Sequence, residues 1–159
     1  MKKLFSVLAA ALMLVSCAKS NFQSELDAMS KAMESKDYAA VVASADKIIN
    51  GVDKAAAGDL VSAGTMLNTV VTFKQQAGEL DAQEAVELFN KAITALTAAK
   101  SKSDYDATVA LYKESGVDVE AIAAALPEAA ASFQASLEAA EEEGEAEEGE
   151  YEGEEGEEE

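Results

Sequence analysis

The chain has 159 residues, of which 31 are acidic and 12 are lysine, giving a formal net charge of −19, and it contains no histidine, arginine or tryptophan. Without histidine, the Ser-His-Asp and Cys-His arrangements are excluded, along with the usual general base near neutral pH. Without arginine there is no bidentate fork for phosphate, and the excess negative charge opposes any polyanion, so nucleic-acid binding is excluded as well.

The enzymatic options that remain are a serine–lysine pair or two carboxylates acting on a sugar. Carboxylates are too abundant here to be diagnostic, and few aromatic side chains are present to stack a sugar ring. The expectation is therefore a protein that is not an enzyme and takes no cofactor.

The first element is a leader. Lys2 and Lys3 precede an apolar stretch from Leu4 to Val15, which ends at Ser16 and at the single cysteine, Cys17. Basic, apolar and small residues in that order form a secretory signal. The run Leu14-Val15-Ser16-Cys17 resembles the lipobox of bacterial lipoproteins. The resemblance implies cleavage before Cys17, a diacylglyceryl group on its sulfur and an acyl-anchored mature chain. It also implies that the one thiol is consumed, which excludes His/Cys metal sites.

Two other readings of the leader stand beside this one. About a dozen apolar residues fall short of the ~20 needed for a membrane-spanning helix, so a retained anchor requires more length than the run has. Ordinary secretion with cleavage after Ala18 would use Ser16-Cys17-Ala18 as a small-x-small site. Ala18 in place of aspartate after the cysteine matches the outer-membrane default of enteric lipoproteins, with the periplasmic or outer face left open.

The body, residues 24–140, reads as all-α, following a signal peptide (1–16) and a lipidated polar tether (17–23). Ser24-Glu25-Leu26-Asp27 has the form of a capping box, and Phe22, Leu26, Met29 and Met33 make one apolar stripe ending near Lys36. Asp37 caps a second helix whose stripe runs from Tyr38 through Val41, Ala45 and Ile48 to Val52, with Asn50-Gly51 as its stop. A third helix opens at Asp59, turns Leu60, Ala63, Leu67, Val70 and Val71 inward, and ends at Gly78.

Asp81 and Glu84 define the start of a fourth helix, which continues through Val86, Phe89, Ile93 and Leu96 to about Lys100. Ser103-Asp104 caps a shorter fifth, with Tyr105, Val109 and Tyr112 inward and Gly116 closing it. Asp118 begins the last segment. Pro127 lacks an N–H and clashes with the preceding turn, so two pieces are expected, 118–125 and 127–140. Short connections between such stripes predict six to seven amphipathic helices as antiparallel hairpins, in a bundle or a short repeat-like stack.

Asp37-Tyr38-Ala39-Ala40-Val41-Val42-Ala43 is echoed by Asp104-Tyr105-Asp106-Ala107-Thr108-Val109-Ala110, 67 residues on. Glu84 to Ile93 also looks like the second helix of a tetratricopeptide repeat. That resemblance implies stacked helix pairs with a concave face for a peptide or partner protein. The spacing of 44 from Asp37 to Asp81 and the absence of a closing proline depart from the 34-residue pattern.

Residues 141–159 carry thirteen glutamates and no lysine. With almost nothing to bury, this tail is expected to be disordered, and its anions oppose the dipole at a helix C-terminus, so the preceding helix should fray near Ala140. A solvated repulsive brush, an arm for a basic protein or peptide, and a weak, nonspecific binder of divalent cations are the readings it supports. Removing residues 1–16 leaves ten lysines against 31 acids, a mature net charge of −21.

Together these features predict a lipid-anchored cell-envelope protein with a binding or scaffold role and Cys17 as its attachment residue. The alternatives are a tetratricopeptide-like adaptor and a carboxylate-dependent hydrolase of envelope polysaccharide.

Overall fold

Six helices account for most of the described chain, residues 20–148 of a computed structural model, and no strand occurs among those residues. They are α1 (Gln23–Ser35), α2 (Tyr38–Asn50), α3 (Ala57–Ala77), α4 (Ala82–Lys100), α5 (Tyr105–Glu114) and α6 (Val119–Glu148). Successive helices α1 to α4 pack against one another, and α6 lies along α4, passing over the short α5. The all-α expectation holds, and the number of helices falls within the expected range.

Aspartate caps explain three of the helix starts. Asp37 accepts from the Ala40 N–H at 3.1 Å, Asp81 from Glu84 at 2.7 Å and Asp118 from Ala121 at 2.9 Å. Each satisfies a backbone donor that the helix itself leaves free. At the other end, Gly78 adopts φ +71°, a left-handed cap that costs a residue without Cβ little.

Four local expectations are corrected. Ser24 caps nothing: α1 begins at Gln23 behind Phe22, and the Ser24 hydroxyl donates instead to Glu25. The third helix opens two residues before Asp59, because the carboxylate is placed on its first turn and reaches back to the Ala56 N–H. Pro127 does not divide the last segment. Its ring is on the exposed side, while buried Val119, Leu126 and Ala130 hold one continuous α6 against the body. That helix also continues through Glu148, eight residues beyond the expected end at Ala140; residues 149–159 lie outside the described residues.

The core is organised around α3, which touches all five other helices. Every residue from Ala57 to Leu67 is buried, so this helix is enclosed on all sides rather than along one stripe. Its closest neighbour is α4. A Cβ on Gly64 would stand 2.7 Å from Leu96 Cγ and 3.2 Å from the Ala92 carbonyl oxygen, so only glycine permits this approach. The matching face of α4 is built from Ala85, Leu88, Phe89, Ala92, Ala95, Leu96 and Ala99, with the expected Val86 and Ile93 half-buried at its edges. Phe133 of α6 packs on Phe89, ring centroids 5.9 Å apart.

Candidate functional site

The N-terminal end of α3 collects two carboxylates from separate parts of the chain. Asp59 is fully buried; one of its oxygens accepts from the Ala56 N–H at 3.0 Å and the other from the Ser20 hydroxyl at 2.5 Å. Asp104 leaves its own helix without a side-chain cap and accepts instead from the Ala57 N–H, its two oxygens at 3.2 and 3.3 Å. Both carboxylates sit where the α3 dipole is positive, which for buried Asp59 offsets the cost of burying charge, while Asp104 is exposed.

The start of the described chain is tied to this same end. The Ser20 hydroxyl oxygen accepts from the Phe22 N–H at 3.0 Å, and the Asn21 side chain donates to the Lys54 carbonyl at 2.7 Å. The Phe22 ring occupies the space beside Gly51, where a Cβ would lie 2.2 Å from Phe22 Cζ. Lys102 closes the neighbouring loop by donating to the Val52 carbonyl at 2.6 Å. The polar tether read over residues 17–23 is therefore held to the fold from Ser20 onward. Cys17 lies outside the described residues, with only Ala18 and Lys19 between it and Ser20.

One turn deeper, the Tyr112 hydroxyl is 2.7 Å from Ser62 Oγ, which in turn donates to the Gly58 carbonyl at 2.7 Å. Serine has one hydroxyl hydrogen, so Tyr112 is the donor between the two. Burial pushes the Tyr112 phenol up to about 12, and the Asp59 charge adds to the rise. Tyr105, also raised, chiefly by burial and then by Glu120 and Asp106, has a buried hydroxyl without a hydrogen-bond partner.

A groove of about 370 Å³ runs between α2 and α4. Tyr38, Val42 and Leu88 give it an apolar floor, and two ion pairs border it: Lys91 with Asp46 at 2.7 Å, and Lys74 with Glu84. These pairs are partly exposed and contribute little to stability, about 0–1 kcal/mol each. They leave an apolar strip flanked by both signs of charge. The arrangement differs from a glycosidase pair, because Asp46 and Glu84 each hold a lysine instead of facing one another across a sugar.

A second hollow of about 350 Å³ is lined by Asn68, Phe89, Ile122 and Leu126 and is almost wholly apolar. The adaptor reading expects a groove of tyrosine, asparagine and lysine. The structure gathers Tyr38, Lys74 and Lys91 in one groove and puts Asn68 in the other. No local pattern marks the Asp46–Lys91 pair, whose members are 45 residues apart.

Among the described residues no three Asp or Glu side chains form a cluster able to hold a metal ion, and no helix is long and apolar enough to cross a membrane. The tail residues proposed for weak cation contacts lie largely outside this description. No protein-family model, curated protein or solved structure matches the chain.

Proposed function

We propose that the protein is a lipid-anchored component of the bacterial cell envelope, held in the outer membrane through Cys17, with a binding or scaffold role and no catalytic step of its own. The observation that carries this reading is the run Leu14-Val15-Ser16-Cys17 behind a basic and apolar leader. Two acyl chains contribute enough buried methylenes for lasting attachment, which one chain alone does not. The fixed start of the body at Ser20 suits a short membrane anchor. The lack of histidine, and the engagement of Asp46 and Glu84 by lysines, support a role without chemistry.

Cys17→Ser tests the reading. The wild-type protein should sediment with membranes and resist release by high salt, while the variant should appear in the soluble fraction or keep its leader. Wild-type protein washed free by salt alone would contradict the proposal. Crosslinking in intact cells, with and without residues 141–159, then identifies what is bound and whether the tail recognises it.

An adaptor role is the second reading, favoured by the groove between α2 and α4. It predicts that Val42→Glu, at the groove floor, abolishes capture of the crosslinked partner while truncation of the tail does not.

A further inference from the structure

We propose that the bilayer meets one defined end of the helical body, the end bearing Ser20 and Lys54, and that α6 carries its glutamates away from the membrane at the opposite end. The inference rests on the lipid anchor at Cys17 and adds to it an orientation, a lipid contact surface and a position for the acidic arm.

The first observation is the length of the leash. Three Cα–Cα steps separate Cys17 from Ser20, a reach of about 11 Å at most. Ser20 is bonded to fully buried Asp59, and Asn21 to the Lys54 carbonyl, so the body has little freedom to swing about its anchor.

The second is the direction of α6. Glu120 lies close enough to Tyr105 to raise its phenol, and Tyr105 follows Asp104, which caps α3 beside Asp59. Thirteen residues on, Phe133 packs on Phe89, at mid-length of α4 and eleven residues short of its C-terminal Lys100. The helix thus runs away from the Ser20 end. Thirty residues span about 45 Å.

The third is charge. Lys47, Lys54, Lys100 and Lys102 belong to the helix ends and loops around Ser20, where Asp53, Asp59, Asp104, Asp106 and Glu120 bring the formal charge to −1. From Glu138 to Glu148 there are seven glutamates and no lysine. An anionic leaflet attracts basic segments within a Debye length and repels acidic ones, so the field of the membrane favours the same orientation that the leash imposes. An acidic arm at that height is placed to meet a basic partner beyond the membrane surface.

The chain has no tryptophan, so single tryptophans report position cleanly. Lys54→Trp and Glu138→Trp change exposed residues and leave the core intact. Each full-length lipoprotein is purified from cells and reconstituted into vesicles of phosphatidylethanolamine and phosphatidylglycerol containing a spin-labelled headgroup quencher. With an 11 Å leash, the Lys54→Trp protein should be quenched at least about threefold more than the Glu138→Trp protein. Inserting a dozen Gly-Ser residues between Ala18 and Lys19 should reduce that difference. Equal quenching in protein that floats with the vesicles overturns the orientation and leaves the anchor standing. Protein that fails to float overturns both.

Discussion

Helices α3 and α6 are both long and rich in small residues, but the fold uses them in opposite ways. Helix α3 is buried without interruption from Ala57 to Leu67, and its N-terminal donors are met by Asp59 and Asp104. Beyond Phe133, α6 leaves the body: from Gln134 to Ala140 only Leu137 is even half-buried. Its last residues are acidic at the negative end of the helix dipole, which disfavours them. Helical propensity is higher in α6, rich in alanine and glutamate, than in α3 with its glycine, valine and threonine, so tertiary burial and not propensity makes α3 the core helix.

The largest expected effect sharpens that contrast. Leu67→Ala should destabilise the protein by about 2–5 kcal/mol through lost burial and a residual cavity, whereas Leu137→Ala should cost under about 1 kcal/mol. Denaturant titration of the two variants decides this, and comparable losses would show that α6 is as much part of the core as α3.

A second test uses pH. The Tyr112 phenol is raised from 10.0 to about 12, so the folded state holds its proton where the unfolded chain releases it. The associated stability is fully present below pH 10 and is lost as pH rises toward 12, by about 2–3 kcal/mol in total. Tyr112→Phe removes this slope, and the difference between wild-type and variant isolates it from the titration of lysines. An unchanged slope in the variant would place the effect elsewhere.

The legibility of the fold follows the same division. Asp37, Asp81 and Asp118 cap the helices they precede, because a local bond from residue i to i+3 depends on nothing distant. Asp104 looked identical in sequence and behaves differently: its carboxylate serves Ala57, 47 residues earlier, a contact visible only after folding. Burial all around α3 did leave a trace, since Leu60 to Phe73 contains no charged residue, although a one-stripe reading passes over it. In α4 the contact face is mostly alanine, which a search for large apolar side chains ranks below Val86 and Ile93. Of the candidate site, the anchor motif was fully local, while the groove needed α2, α3 and α4 brought together.

That nonlocal cap gives a smaller prediction. Asp104→Ala should cost about 1 kcal/mol, and Asp59→Ala about 1–3 kcal/mol because it also strands the Ser20 hydroxyl and the Ala56 N–H. Hydrogen exchange should quicken at Ala57 in the Asp104 variant, although the substitution lies at the start of α5. Acceleration confined to α5 would contradict the cap.

Smallest of all is Gln134→Ala, on the exposed stretch of α6, which should change stability by less than about 0.5 kcal/mol. A larger loss in thermal unfolding would mean that this stretch packs against something in solution.

The role assigned to the molecule depends on how its mature N-terminus is made, and intact-mass and peptide analysis of protein taken from membranes measures that directly. The account predicts a chain beginning at Cys17 and heavier than its sequence by a diacylglyceryl group, with or without a further acyl chain. A chain beginning at Lys19, or an unmodified thiol at Cys17, would contradict it.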